Sequence, residues 1–314
     1  MGINSEKGGK QVNGPLDRIL RVWQLYALLA LPLLYLIVFK YVPMYGAQIA
    51  FKDFAVAQGI WGSEWVGLKH FDRFVHSYDF GKIMANTLLL NVYNLIAGFP
   101  FPLLLALGLN YVRVRWFKKT VQMVTYAPHF ISTVVMVGML FELLDPRNGI
   151  ANNLLQAFGF ETINFMGNPD YFKSIYVWSG IWQSAGFNCI IFLAALSSID
   201  PSLHEAAVID GASQRQRMLH IDLPGIMPVA VILLILNMGS MLDVGFEKVL
   251  LMQNPLNTRT SEVIDTYVYK VGLVSQAMNY SNSAAIGLFK SVIGFFLIVA
   301  VNQIARKTNQ ASLW

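Results

Sequence analysis

The chain has 314 residues, 55% of them hydrophobic and 13% charged, with a formal net charge of +5 and a mean hydropathy of +0.49. Soluble domains carry about a quarter charged residues, so this composition indicates lipid as the main solvent. One cysteine, Cys189, and five histidines without ligand spacing give neither a disulfide framework nor a Cys/His metal cluster.

Residues 1–24 are polar and glycine-rich and are expected to form a flexible tail. A membrane span needs about 20 mostly apolar residues. Six runs qualify, at approximately 25–45, 87–112, 121–144, 174–196, 226–246 and 284–305, so the expectation is an all-α integral membrane protein with a six-span body over 25–305. The first run is longer than a signal-peptide core and no small-x-small cleavage site follows Pro43 within the next few residues, so it is expected to be retained. Pro32, Pro100, Pro102, Pro128 and Pro228 lie within or at the ends of spans, which a packed bundle tolerates when neighbours satisfy the freed backbone groups.

Orientation follows from lysine and arginine. With the N-terminus inside, the inner segments hold Lys7, Lys10, Arg18, Arg21, Arg113, Arg115, Lys118, Lys119, Arg215, Arg217, Arg306 and Lys307. The outer loops, 46–84, 146–173 and 247–283, together with the membrane-edge Lys40, hold ten such residues, against twelve on four shorter inner stretches. Density decides the matter, and the cluster 113–119 is the strongest vote for cytoplasmic termini, the second of them at 306–314. In the first outer loop, Leu68, Phe71, Phe74, Val75 and Tyr78 share one helical face opposite Lys69, Asp72 and Arg73. A helix in the interface plane and a short packing helix both fit that pattern. The stretch 250–280 is polar and rich in turn formers, with a short helix expected around 262–270 and an external partner as the natural occupant.

Between the fourth and fifth spans, the loop 198–225 has a clear design. Asp200-Pro201 starts a helix, with an N-cap side chain followed by the residue best suited to the first turn. Gly211 allows the backbone to turn, a second short helix follows, and Pro224 is expected to stop it before the fifth span. Ala206, Ala207 and Ala212 form a small-residue face that lets another protein approach closely, and Glu205 offers a carboxylate to a basic groove. Without further information, a tidy amphipathic loop explains the same residues.

Glu205-Ala206-Ala207, then Gly211, then Ile221-x-Leu223-Pro224 resembles the EAA–x3–G–x9–I–x–LP motif of permease subunits in binding-protein-dependent ABC importers. Further stretches are similar to the carbohydrate-uptake branch, among them 39–46, 49–53, 65–69, 126–130, 264–269 and 312–314. The closest likeness is to permeases for polysaccharides and complex oligosaccharides. The resemblance implies a type I ABC importer permease fold in a bacterial cell membrane. It also implies that Glu205, Ala206, Ala207, Asp210, Gly211, Ile221, Leu223 and Pro224 dock into an ATPase and transmit its closing motion. The implied partners are a second related permease, two ATPase subunits and an extracellular solute-binding protein. No G-x-x-x-x-G-K-[ST] phosphate loop is present, so the chain is expected to bind no cofactor and to catalyse no reaction itself, with ATP and Mg²⁺ bound by a separate ATPase.

A sugar path needs aromatic platforms and amide or carboxylate groups. The fourth span offers Trp178, Trp182, Gln183 and Asn188, the fifth Asn237, Ser240 and Asp243, and the sixth Lys290. Trp178 also fits an interfacial anchor, and Asn237 an interhelical hydrogen bond. Lys290 stands where the resembling family more often has asparagine. It fits either snorkelling or a pairing with Asp243 or Glu247, or a place in the path favouring an acidic oligosaccharide. A secondary transporter would more often show an inverted repeat and intramembrane coupling residues. A non-transporting scaffold or a polytopic enzyme is the other alternative.

Overall fold

The computed structural model describes residues 22–276 and 278–307. The basic residues Lys7, Lys10, Arg18 and Arg21, and the terminal stretch 308–314, lie outside the described residues. In chain order the main helices are α1 (Trp23–Phe51), α2 (Lys69–Val75), α3 (Phe80–Tyr111), α4 (Arg115–Phe130), α5 (Thr133–Leu143), α6 (Ile150–Ala157) and α7 (Pro169–Ser197). They continue with α8 (Pro201–Ile209), α9 (Gln214–Gly239), α10 (Phe246–Met252), α11 (Ile264–Tyr269) and α12 (Tyr280–Lys307). Helices α1, α3, α7, α9 and α12 are each long and apolar enough to cross a membrane. A two-stranded antiparallel pair, β1 (Lys52–Asp53) and β2 (Glu64–Trp65), which the sequence did not announce, clips the first outer loop.

The expected third span, 121–144, is not one rod: α4 and α5 meet at 101°. Pro128 closes α4, and Ser132 caps a new helix by accepting from the Val135 amide. The bend exposes the Ile131 carbonyl, which accepts a hydrogen bond from Gln183 Nε2 at 2.8 Å. A second difference concerns the fifth span. Helix α9 ends at Gly239 rather than near 246, and a turn follows in which Asp243 donates its amide to the Ser240 carbonyl. Gly245, at φ +67°, then lets α10 start in a new direction.

Pro224 does not stop the second helix of the 198–225 loop, as the sequence led us to expect. Proline lacks an amide donor, and its ring crowds the carbonyl four residues back. A wider π-turn over Met218–Asp222, closed by the Leu223 amide on the Met218 carbonyl, makes room for the ring, so α9 runs unbroken from Gln214. The same device precedes Pro43 in α1, where a π-turn spans Ile37–Tyr41.

Three apolar clusters hold the bundle. Leu90, Met136, Phe172, Val177 and Val249 join α3, α5, α7 and α10. Leu107, Cys189, Phe192, Ile226 and Ala230 join α3, α7 and α9. Phe74, Ile83, Leu242, Ile264 and Ile286 join α2, α3, α11 and α12. Helix α2 is thus a packing helix on its His70–Phe74 side, while Leu68, Val75 and Tyr78 of the expected apolar face project outward. In contrast, no residue of α1 between 23 and 45 is buried within the chain.

The expected helix near 262–270 is observed as α11, and its loop is tied down. Glu262 binds Lys82 (3.1 Å) and Lys270 (3.0 Å), Asn86 donates to the Arg259 and Glu262 carbonyls, and Asn257 donates to the Met166 and Met252 carbonyls. Lys248 of α10 is buried, donates to the Tyr176 carbonyl at 2.7 Å and lies over the Tyr176 ring, whose hydroxyl donates to the Val244 carbonyl.

Two expected outcomes follow. A Cβ on Gly186 of α7 would lie 2.0 Å from the Thr125 carbonyl oxygen of α4, whereas one on Gly108 meets nothing within 4 Å. Gly186→Ala should therefore lower stability by about 1–3 kcal/mol in detergent melts, and Gly108→Ala should not. Burial pushes the Lys248 ammonium down to about 7, well below the ordinary lysine value. At pH values between these two, the unfolded chain holds a proton that the folded chain has released, so stability should rise as pH increases from about 7 towards about 10. Lys248→Met should flatten that rise, and melts of both proteins at the two ends of the range measure it.

Candidate coupling elbow and translocation cavity

The elbow is built from two caps and a glycine. Asp200 accepts the Ser202 amide at 2.9 Å to start α8. Gly211, at φ +77°, ends it, with the Ala212 amide on the Ala207 carbonyl. Ser213 and Gln216 form a reciprocal capping box that starts α9. Glu205, Ala206, Asp210 and Gly211 are exposed, and Ala207 is half-buried. Around them Leu203, Val208, Ile209 and Leu219 are exposed too, Ile209 to 86%. An apolar, small-residue surface bearing two carboxylates, Glu205 and Asp210, is thus left without a cover among the described residues. Ile221, Leu223 and Pro224 lie at the root of the elbow, with Leu223 packed against the inner cluster.

A cavity of about 480 Å³ opens between α3, α7 and α9. Its polar lining is Asn91 and Asn94 from α3, Ser184 and Asn188 from α7, Asn237 from α9, and Ser240 and Asp243 from the turn after it. Phe99 and Phe192, packed edge to face on each other, form part of its apolar lining. Asn91 donates to the Thr87 carbonyl and Asn237 to the Leu233 carbonyl, each one turn back in its own helix. Asn94 and Asn188 make no hydrogen bond to a described residue, so both amides are available to a ligand. Such groups are rare inside apolar spans and face cavities when present.

Of the residues singled out in the sequence, Asn188, Asn237, Ser240 and Asp243 line this cavity, and Trp178, Trp182, Gln183 and Lys290 do not. Trp178 donates to the Tyr93 hydroxyl at 3.0 Å and packs edge-on against Phe101, which fixes α7 against α3. Trp182, one turn on, is half exposed, and Gln183 holds the α4–α5 bend. Lys290 lies in an adjoining hollow with Ser240 and Asp243. Its Nζ is 2.5 Å from Asp265 Oδ1 and 3.5 Å from Asp243 Oδ1. The pairing reading therefore describes Lys290, with Asp265 as the nearer partner and no contact to Glu247. Asn91, Asn94 and Ser184 escaped notice, although Asn91 and Asn94 share a stripe with Gly98 and Pro102 on an otherwise apolar helix. Among the described residues no group of three His, Cys, Asp or Glu side chains is placed to hold a metal ion.

A bundle of long apolar helices around a polar cavity, with an uncovered elbow between its last two internal spans, is the architecture of a membrane transport permease. The chain belongs to the family of binding-protein-dependent transport system inner membrane components, which matches residues 98–310. It is thus the multi-pass permease subunit of an ABC importer. The polygalacturonan/rhamnogalacturonan transport system permease protein YteP of Bacillus subtilis (strain 168) is 44% identical over 299 residues, covering 95% of this chain and 92% of that protein. A crystal structure of a bacterial ABC transporter involved in the import of the acidic polysaccharide alginate contains a chain that is 38% identical. It superposes with a TM-score of 0.85, covering 93% of this chain and 98% of that one. A second, of a bacterial alginate ABC transporter in complex with an alginate pentasaccharide-bound periplasmic protein, contains a chain at 37% identity and a TM-score of 0.86, covering 95% and 99%.

Because Asp265 is mostly buried against Lys290, Lys290→Met should lower stability by on the order of 3 kcal/mol by leaving a carboxylate without its cation. Adding Asp265→Asn should restore most of the loss. Melts of the single and double variants check this, and an unrescued double variant would show that the pair is not what holds these helices.

Proposed function

We propose that this chain is one of two permease subunits in an ATP-driven importer of acidic oligosaccharides. Both termini are cytoplasmic on this reading, as the cluster 113–119 argues. Cargo arrives from an extracellular solute-binding protein, and two separate ATPase subunits bind ATP and Mg²⁺. The observation that carries the proposal is one continuous helix. Helix α9 begins in the exposed elbow and ends as a wall of the polar cavity, so a push on the elbow reaches the cargo site directly. Amides and hydroxyls beside an aromatic wall suit a hydroxyl-rich sugar ring.

The acidic class rests on the likeness to proteins named for polygalacturonan and alginate. Amide N–H groups serve carboxylates and hydroxyls alike. Lys290 is already held by two carboxylates, so on this reading the uronate charge is met by amides here and by the second permease subunit opposite. The uncovered α1 supports the reading that such a subunit packs beside this chain. The tied-down outer loops, with Glu262 and Asn257 at their centre, offer the solute-binding protein a firm surface.

Inside-out and right-side-out vesicles carrying the complex decide between this importer and an ion-gradient-driven transporter. Uptake of an oligogalacturonate should require ATP and the solute-binding protein, and an ATPase should co-purify; uptake driven by an ion gradient without nucleotide would overturn the proposal. Within the cavity, Asn94→Leu combined with Asn188→Leu should reduce uptake about tenfold or more, since each lost amide contact is worth about 1–3 kcal/mol. Recovery of the ATPase with that variant should be unchanged.

A further inference from the structure

One buried acid is unexplained by packing or by the cargo site. Asp222 is fully buried at the root of the elbow, where α9 widens into its π-turn. Tyr111, the last residue of α3, donates its hydroxyl to Asp222 Oδ2 at 2.5 Å. His204 of α8 places Nε2 3.2 Å from Asp222 Oδ1, within ion-pair reach. The ring is not in line for a hydrogen bond, and Oδ1 has none. One carboxylate thus touches the end of one span, the root of another and the first arm of the elbow. His204 immediately precedes Glu205, on the surface left uncovered for a partner.

Burying a carboxylate costs several kcal/mol unless partners compensate, and an apolar side chain would fill the same space at lower cost. The polar choice adds direction instead: two oxygens, each aimed at a different helix. Without them, α8 meets the bundle through a loop at 198–200 and a glycine at 211, both able to bend. A force applied to Glu205–Ala207 would then be absorbed in those hinges.

We propose that Asp222 is a positioning residue for energy coupling, strapping α8 through His204 to α3 and α9, so that the elbow and two spans move as one body. This rests on the reading that an ATPase docks on the elbow. Neither His204 nor Tyr111 lies among the exposed docking side chains, so loss of the strap should spare docking and damage transmission. The unfilled hydrogen-bond position on Oδ1 is where the strap tightens when α8 is pressed inward.

The test uses the whole complex, purified through a tag on this chain, placed in proteoliposomes and assayed with its solute-binding protein loaded with an oligogalacturonate. The readout is ATP hydrolysis with and without the loaded binding protein, alongside recovery of the ATPase subunits. Tyr111→Phe, which removes a single hydroxyl, and His204→Leu should each cut the stimulation ratio about fivefold or more while ATPase recovery stays at the wild-type level. His204→Gln keeps a donor near Oδ1 and should restore much of the ratio. A wild-type ratio in both Tyr111→Phe and His204→Leu would overturn the strap and leave the importer standing, as would failure of His204→Gln to differ from His204→Leu. If His204→Leu does not assemble, Tyr111→Phe alone decides. A wild-type complex that carries no ATPase would instead sink the docking reading beneath it.

Discussion

Inside hydrocarbon no water is present to satisfy a peptide group, so every amide and carbonyl of a span must find its partner in the protein. This chain meets that constraint with helices that are interrupted several times, and the interruptions organise the rest of the structure. Ahead of Pro43 and Pro224 the helix widens by one residue and keeps its bonds. At the α4–α5 bend, the Ile131 carbonyl is met by Gln183. After α9, Tyr176 reaches the Val244 carbonyl, and Lys248 in turn reaches the Tyr176 carbonyl. Side chains resembling ligand contacts in the sequence are thus partly the means by which a broken bundle stays bonded.

That account explains how far the sequence could be read. The number and order of apolar runs were legible because hydrophobicity is a local property, and the elbow was legible because caps and turn glycines act on near neighbours. The α4–α5 bend was not, because Pro128 and Ser132 sit in an apolar run whose length alone fits a straight span. Pro224 misled for a related reason: its clash with a regular helix is local, but the π-turn that relieves it is a choice of the whole segment. The cavity was half legible. Asn188, Asn237, Ser240 and Asp243 stand out as polar groups in spans, yet Gln183 stands out equally and holds a bend. Only the packing separates an amide that has a carbonyl to hold from Asn94 and Asn188, which have none among the described residues.

Lys290 shows the same limit from the electrostatic side. A lysine within an apolar run demands a partner, and Asp243 was considered because it lies at the end of the expected fifth span. Asp265, at 2.5 Å, lies in α11, a short helix of the outer loop, and nothing in the local pattern of either segment announces their meeting. The pair also fixes what the cavity offers a ligand. With Lys290 held by two carboxylates beside the cavity, the neutral donors of the cavity wall are amides, and on the proposed reading these are what the cargo meets. Discrimination on this side of the path then depends on hydrogen-bond geometry more than on net charge.

The continuity of α9 ties the two functional ends together. A helix rises about 1.5 Å per residue, so Gln214 and Asn237 stand about 35 Å apart on one rod. Small rotations at the elbow become larger displacements at the cavity, provided that the rod does not flex between them. The π-turn at Met218–Asp222 is one of two places in that rod with altered hydrogen bonding, Pro228 being the other, and flexing would concentrate at both. The π-turn is also where Asp222 is fully buried between Tyr111 and His204. The weak point nearer the elbow is therefore a point braced from two sides. A permease that has to accommodate Pro224 in this position gains stiffness from side chains where its backbone has given some up.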